Sequence, residues 1–180
     1  MRVIGGKYRG RKLVQIYGTK IRPTSDRIRE AVFNILGPKI KNRQVLDLFA
    51  GTGALGIEAL SRGAQHCTFA DQDCKTVSQN VRHCGLEEKT RIICCDVLDH
   101  NFIHTLGSWK FNLIFMDPPY EKGYIESIFS NSSFLNIIDS DCILIFEQSH
   151  KENLDFLPPI LDIYRQKKYS KTLISFIRKL

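Results

Sequence analysis

The feature that most constrains this chain is a regular alternation of short apolar runs with segments of helical spacing. The strand-like runs are residues 45–50, 67–70, 91–95, 111–116 and 142–146. The segments with helical character are residues 54–61, 73–84, a shorter turn after Asp96, and residues 124–129. Strands that alternate with helices form a parallel sheet covered on both faces, with right-handed crossovers. The pattern therefore predicts a doubly wound, Rossmann-like α/β domain.

Both ends of the chain add to that core. Residues 160–164 and 172–177 flank a basic segment, 165–171, in the pattern of a hairpin that adds an antiparallel last strand. Near the start, the glycine-rich residues 5–10 separate two short apolar runs and predict a second hairpin. We expect a single domain in all 180 residues, with a basic extension at 1–43 and a core of seven mostly parallel strands at 44–180.

Between that first hairpin and the core, residues 24–36 have the apolar spacing of a helix. Thr24, Ser25 and Asp26 are candidates for its N-cap, and Gly37 followed by Pro38 is a stop signal. We therefore predict that the extension consists of a hairpin and a helix.

Charge is distributed unevenly along the chain. The net charge is +7, yet residues 1–43 hold 12 Lys or Arg against two acids, and residues 165–180 hold six against none. Basic ends attract the phosphates of RNA or DNA, and an acidic body suits a small cationic ligand, although a solvated surface explains the same counts. The candidate RNA-binding residues are Lys7, Arg9, Arg11, Lys12, Arg22 and Arg29.

Two classes of protein are disfavoured by the sequence. No apolar stretch approaches the roughly 20 residues of a membrane span, and the first residues lack the apolar core of a signal peptide, so we expect a soluble cytoplasmic protein. None of the six cysteines has the two-residue gap of a zinc or redox motif. We predict no metal, and packing roles for the cysteines.

A glycine-rich turn follows the first predicted strand and opens into a helix. With Gly51, Gly53 and Gly56 it satisfies the dinucleotide-binding pattern, and Asp71 follows Gly51 at the spacing of a ribose-binding acid. A nicotinamide-dependent oxidoreductase is therefore one interpretation. Asp47 argues against it, because a carboxylate ahead of the glycines repels a pyrophosphate but suits the cationic amino-acid portion of S-adenosylmethionine.

Two further carboxylates end predicted strands and suit the same cofactor. Asp71 can accept hydrogen bonds from the ribose hydroxyls, and Asp96 from the adenine amine, although Asp96 can equally be a helix N-cap. The predicted cofactor-binding residues in this part of the chain are Asp47, Phe49, Ala50, Gly51, Gly53, Asp71, Gln72, Asp96 and Val97.

The fourth predicted strand runs directly into Asp117, Pro118, Pro119 and Tyr120. The prolines fix the chain and remove two backbone donors, which leaves a carboxylate and carbonyl oxygens at the end of the strand. Such acceptors can hold the hydrogens of an exocyclic base amine while its nitrogen attacks a methyl group, and an aromatic ring can stack on the base. We predict that these four residues are catalytic and that S-adenosylmethionine is the methyl donor.

With these motifs, the sequence resembles the RsmD family, bacterial methyltransferases that act on N2 of a guanine in small-subunit (16S) ribosomal RNA. The resemblance rests on residues 2–13, 22–36, 45–56 and 117–120. It implies a class I methyltransferase fold, S-adenosylhomocysteine as the product of the cofactor, and cofactor or substrate contacts for Arg22, Thr24 and Asp26. Residues 131–157 carry no recognisable motif.

Other functions stay open from the residues alone. The acceptors at Asp117 fit adenine N6 in DNA or RNA as well as guanine N2. An NAD-dependent oxidoreductase and a non-catalytic RNA-binding module are the alternatives from other classes. The expected partner is ribosomal RNA or the small ribosomal subunit, and the expected oligomeric state is a monomer.

Overall fold

The computed structural model describes residues 1–15 and 26–180. Its strands are β1 (Gln44–Leu48), β2 (His66–Asp71), β3 (Thr90–Cys94), β4 (Phe111–Met116), β5 (Ile138–Ser149), β6 (Leu161–Tyr169) and β7 (Thr172–Lys179). They form one sheet in the order β3-β2-β1-β4-β5-β7-β6. Strands β1 to β5 are parallel, and β7 is antiparallel to both of its neighbours. This confirms the predicted doubly wound fold with seven strands.

Helices cover both faces of the sheet. They are α1 (Asp26–Leu36), α2 (Ala54–Ser61), α3 (Lys75–Cys84), α4 (Phe102–Leu106) and α5 (Tyr124–Ser130). Short 3₁₀ turns follow α1 and precede β3 and β5. None of the helices in the described part of the chain is long and apolar enough to cross a membrane.

Alternate side chains of the central strands pack into two hydrophobic cores, one on each face of the sheet. In β4, Leu113 and Phe115 pack on the face that α1, α2 and α3 cover, whereas Ile114 and Met116 pack on the face of α4 and α5. Because successive strand side chains point to opposite faces, a strand buried on both sides reads as a continuous apolar run. This explains why the central strands were recognisable in the sequence.

Several predicted bounds were wrong. The first strand ends at Leu48 rather than at residue 50, because Phe49 takes a left-handed conformation with φ 59°. The segment 165–171 is not a turn: β6 continues to Tyr169, and only Ser170 and Lys171 turn the chain. Since β6 is an edge strand, it accommodates exposed basic side chains, which discourage pairing with another chain.

The amino-terminal hairpin forms as a single antiparallel bridge between Arg2 and Lys12 rather than as a ladder. Its side chains Val3 and Leu13 are buried and belong to the core under α1, α2 and α3. The hairpin is therefore packed onto the domain. The predicted helix 24–36 is observed from Asp26, and its first two residues lie outside the described part of the chain.

Candidate active site

The candidate site lies where the strand order of the sheet reverses, between β1 and β4. The chain leaves β1 towards β2 on one side and returns with β4 on the other, and such a switch point opens a crevice at the carboxyl ends of the strands. Leu48 of β1 pairs with Met116 of β4. Since neighbouring strands lie about 4.8 Å apart, Asp117 leaves the sheet beside Phe49, where the glycine turn begins. The structure thus brings the two sequence motifs together.

The glycine turn has two positions with different requirements. Gly51 (φ 53°) and Gly53 (φ 74°) are both left-handed, a conformation that favours glycine. A Cβ on Gly53 would lie 2.6 Å from Cγ2 of Val77, so helix packing itself demands glycine there. A Cβ on Gly51 would have no atom nearer than the Phe49 carbonyl oxygen at 4.0 Å. The space beside Gly51 is open, which leaves the backbone accessible to a ligand.

Asp71 holds the turn from the neighbouring strand. Its Oδ2 accepts a hydrogen bond from the Gly51 amide at 2.8 Å, and its Oδ1 accepts one from the Asp73 amide at 3.0 Å. A carboxylate offers about four acceptor positions, so these two bonds leave capacity for hydroxyl donors. Because the side chain is half-buried, it has one side towards solvent.

Asp47 lies below the turn rather than on its surface. It is 1% exposed, and its Oδ2 accepts a hydrogen bond from the Gly56 amide at 2.9 Å. Burial raises the pKa of Asp47 to about 8; the Gly56 hydrogen bond opposes this rise, and the charge of Asp71 adds to it. Asp47 therefore supports the turn, and its predicted contact with the cationic end of a cofactor stays a prediction.

The remaining predicted cofactor residues occupy the same edge of the sheet. Asp96, after β3, is exposed, and its Oδ1 accepts from the Leu98 amide at 2.9 Å. This bond forms an Asx turn and not the helix N-cap that the sequence also allowed, because α4 begins only at Phe102. Gln72 is exposed, whereas Ala50 and Val97 are buried. Their cofactor contacts stay predictions.

The motif after β4 combines rigid and anchored parts. Pro118 is buried and Asp117 is half-buried, whereas Tyr120 is 38% exposed. The Tyr120 hydroxyl donates to Oε1 of Glu147 at 2.7 Å and lies 2.9 Å from Oγ1 of Thr172. Burial raises the pKa of the Tyr120 hydroxyl well above its ordinary value, so the group stays protonated. The ring is thus held at its far end while part of it faces solvent.

Sequence reasoning missed several residues that shape this site. Glu147 is buried, and register places it beside Asp117, since Met116 pairs with Phe146. A carboxylate directly after the apolar run 142–146 was a usable signal, because a carboxylate after an apolar run also identified Asp117. Tyr124 stacks on Phe49 with ring centroids 5.9 Å apart, a contact that no sequence pattern announced.

The loop after Tyr120 is fixed by a residue in the segment without a motif. Glu152 accepts from the Glu121 amide at 3.0 Å through Oε1 and from the Ser149 amide at 2.7 Å through Oε2. It joins the loop to the end of β5. Residues 131–157 therefore contribute to the form of the site.

The basic extension lies against α2 and α3, next to the glycine turn. Buried Glu58 accepts from the Ile4 amide at 2.7 Å and from the Gly5 amide at 2.8 Å. Lys7 and Arg11 flank the ring of Tyr8, 5.5 Å and 4.8 Å from its centroid. The predicted RNA-binding side chains with exposed positions are Lys7, Arg9, Arg11 and Lys12.

Arg29 and Asp26, predicted to contact RNA and the cofactor respectively, both lie on α1. Arg29 is 0% exposed and donates to the Arg2 carbonyl and to Oδ1 of Asp26. Its side chain therefore joins α1 to the amino-terminal hairpin. Asp26 is exposed. Arg22 and Thr24 lie outside the described residues. Within residues 1–15 and 26–180, no group of three or more His, Cys, Asp or Glu side chains is placed to hold a metal ion.

Comparison with known proteins identifies the family. The family model described as "Conserved hypothetical protein 95" matches residues 1–178. Ribosomal RNA small subunit methyltransferase D of Escherichia coli (strain K12) is 35% identical over 173 residues, which cover 93% of this chain and 84% of that protein. The chain belongs to the RsmD family of rRNA methyltransferases. The predicted resemblance is confirmed.

Other RsmD-like proteins and fold neighbours agree with this assignment. YlbH of Bacillus subtilis (strain 168) is 34% identical over 184 residues and covers 99% of both chains. The solved structure of yhhF from Escherichia coli superposes with a TM-score of 0.83 at 30% identity, covering 99% of this chain and 97% of that one. SMU.776, solved as a complex with SAH, has a TM-score of 0.64 at 17% identity and covers 86% of this chain and 49% of its own, a likeness that shows the class I methyltransferase fold alone.

The edge of the sheet fits S-adenosylmethionine, the methyl donor that the sequence predicts. Gly51 leaves open space beside its backbone, and Asp71 keeps acceptor capacity for ribose hydroxyls. Asp47 places a buried carboxyl below the same turn, where a cation above it would favour the ionised form. These residues are the ones that would hold the cofactor.

Proposed function

We propose that this RsmD-family chain transfers a methyl group from S-adenosylmethionine to N2 of a guanine in small-subunit (16S) ribosomal RNA. The observation that carries the proposal is the position of Asp117: it follows β4 directly beside the glycine turn that follows β1. A base amine held at Asp117 would lie next to a cofactor held at the turn.

The chemistry asks two things of the protein. The lone pair of an exocyclic amine is delocalised into the base, so the nitrogen must be rehybridised and its hydrogens directed away from the electrophile. The carboxylate of Asp117 and the carbonyl of Pro118 accept these two hydrogens and stabilise the positive charge that develops on nitrogen. When bound, S-adenosylmethionine would supply the electrophilic methyl group and leave as S-adenosylhomocysteine. The proton that the methylated nitrogen loses would pass to the carboxylate of Asp117 or to water.

Tyr120 supplies the surface for the base. The residue is 38% exposed, and its hydroxyl is held by Glu147 and Thr172. Stacking of a base on an aromatic ring contributes roughly 1 to 3 kcal/mol in single-strand binders. Because the hydroxyl is anchored, the ring can receive a flipped base without first losing rotational freedom.

The amino-terminal extension supplies the basic side chains that would contact the phosphates of RNA. Lys7, Arg9, Arg11 and Lys12 are exposed on the hairpin, and contacts of this kind with phosphates position the nucleic acid without reading its sequence. We further propose that the chain acts as a single domain and a monomer on the small subunit or its RNA in the bacterial cytoplasm. Light scattering of the purified protein tests the oligomeric state.

The decisive experiment is product mapping. The protein is incubated with labelled S-adenosylmethionine and small ribosomal subunits that lack the modification, and the RNA is digested to nucleosides for mass spectrometry. We expect N2-methylguanosine at one position, and no product from Asp117→Ala. N6-methyladenosine as the sole product would replace guanine by adenine as the target, and no incorporation where Escherichia coli methyltransferase D is active would remove the proposal.

A further inference from the structure

Asn80 is a buried polar residue that joins the amino-terminal extension to the glycine turn. It lies on α3 and is 0% exposed. Its Oδ1 accepts from the Val14 amide at 2.7 Å, and its Nδ2 donates to the Val14 carbonyl at 3.1 Å and to the Thr52 carbonyl at 2.9 Å. Both Nδ2 hydrogens are therefore used, one on the extension and one on the turn.

The Thr52 carbonyl that Asn80 holds lies in the part of the turn that two glycines flank. Thr52 stands between Gly51 and Gly53, which both have positive φ values. Glycine populates several backbone regions with similar ease, so these flanking positions do not fix the orientation of the peptide between them. The extension also contacts Thr52 directly, since the Thr52 Oγ1 lies 3.5 Å from the sulfur of Met1.

We propose that Asn80 is a positioning residue that sets the conformation of the cofactor turn and makes that conformation depend on the docked extension. The identity of the cofactor rests on the proposed function; the hydrogen bonds do not. When Asn80 holds the Thr52 carbonyl, the neighbouring Gly51 backbone is preorganised for its ligand, and loss of that bond lets the turn sample other conformations. The Val14 segment of the extension and the affinity for the cofactor are then coupled through Asn80, and such coupling is reciprocal.

Ser61 provides a matched control. It is buried, its Oγ accepts from the Tyr8 amide at 3.0 Å, and it donates to the Gly5 carbonyl at 2.5 Å. It therefore also ties the extension to a helix through backbone bonds, but at the end of α2 that is remote from the turn. A role in docking alone predicts similar effects from removal of Asn80 and of Ser61.

The test compares Asn80→Ala, Asn80→Asp and Ser61→Ala by calorimetric titration with S-adenosylhomocysteine. We expect the Kd to rise about tenfold in both Asn80 variants, which corresponds to the loss of roughly one well-made hydrogen bond, and to change less than twofold in Ser61→Ala. Hydrogen exchange at the Gly53 amide, which donates to the Ala50 carbonyl at 2.7 Å, should accelerate only in the Asn80 variants. Asn80→Asp keeps the acceptor for Val14 and serves if the alanine variant does not fold.

The outcomes separate this proposal from the proposed function. Equal changes in Kd for the Asn80 and Ser61 variants, or an unchanged Kd in a folded Asn80 variant, overturn the positioning role and leave methyl transfer untouched. Failure of the wild-type protein to bind S-adenosylhomocysteine overturns both. A wild type that binds S-adenosylhomocysteine but methylates no guanine overturns the proposed substrate alone.

Discussion

Asp117 follows β4 directly as a half-buried carboxylate beside the glycine turn. In Asp117→Asn the side chain keeps one acceptor oxygen, but its amide points hydrogens at a substrate amine and no longer offers negative charge. Removal of one preorganised polar group from a reacting centre typically costs 10² to 10³ in rate, so we expect a loss of about that size. Single-turnover methyl transfer measures it, and calorimetry should show an affinity for S-adenosylhomocysteine within about twofold of wild type. An equal loss of cofactor affinity would mean that Asp117 serves the cofactor instead.

Tyr120 separates the contribution of a ring from that of a hydroxyl. Tyr120→Phe keeps the ring but removes the bonds to Glu147 and Thr172. Loss of the hydrogen bond between Tyr120 and the buried Glu147 should lower the free energy of unfolding by about 1 to 3 kcal/mol, with a modest fall in kcat. Tyr120→Ala also removes the stacking surface, which should raise the KM for RNA further than the phenylalanine variant does. Urea unfolding and steady-state kinetics on both variants check this, and equal KM values would argue against stacking.

Burial of Asp47 makes the stability of the fold depend on pH. The pKa of Asp47 is raised to about 8 in the folded protein, against about 3.9 in an unfolded chain. The stability that the neutral carboxyl confers is complete below about pH 4 and is lost as the pH rises through about 8, because the folded state binds the proton more tightly. In Asp47→Asn the group is neutral at every pH, so the free energy of unfolding of wild type should fall relative to this variant between pH 5 and pH 8. Urea unfolding at several pH values tests this, and parallel curves would contradict it.

At the scale of elements, the turn between β1 and α2 places two glycines in the same backbone region for different reasons. Gly53→Ala combines a left-handed alanine with a Cβ placed 2.6 Å from Val77, and it should destabilise the fold by about 2 kcal/mol or more. Gly51→Ala meets only the backbone cost of about 1 to 2 kcal/mol, since the space beside it is open. The same Cβ would enter the space for the cofactor, so Gly51→Ala should lose more S-adenosylhomocysteine affinity per unit of stability lost. Thermal unfolding and calorimetry on both variants decide this.

The elements that the sequence predicted well are those buried on both faces. Strand β4 was predicted with its observed bounds because all of its residues are apolar apart from Asn112. Strand β5 begins at Ile138, four residues before the predicted start, since Asp139 and Asp141 interrupt the apolar pattern. Polar residues on a strand that lie outside the core give no periodic signal, so the ends of β5 and β6 had to come from the structure.

The candidate site was predictable to the extent that its residues lie at, or just after, the carboxyl ends of strands. Asp47, Asp71 and Asp117 were identifiable because the carboxyl ends of parallel strands meet at one edge. Asn80 and Glu58 were not, since each is a polar residue inside a helix with partners in the amino-terminal extension, more than 50 residues away. A buried polar group acquires its role from tertiary partners, and an amphipathic pattern does not name them.

For the whole molecule, the position of charge matters more than the net value of +7. The hairpin that carries Lys7 and Arg9 is fixed to α2, the helix that opens from the glycine turn, through Glu58 and Ser61. Phosphates bound at the hairpin would therefore lie at a set distance from the cofactor edge. A fixed distance between the bound phosphates and the cofactor suits an enzyme that must place one base amine against one methyl group.

The salt dependence of RNA affinity measures these phosphate contacts directly. Each phosphate neutralised by a Lys or Arg adds about 0.7 to 0.9 to the slope of log affinity against log salt concentration. The double variant Lys7→Ala, Arg9→Ala should therefore weaken binding to small-subunit RNA and reduce the slope by about 1.4 to 1.8, while the affinity for S-adenosylhomocysteine stays within about twofold. Lys89→Ala, which removes an exposed charge beside Glu87 and Glu88 in the acidic part of the chain, should leave the slope unchanged. Fluorescence anisotropy from 50 to 300 mM salt supplies both slopes, and equal slopes for the double variant and wild type would place the RNA contacts elsewhere on the protein.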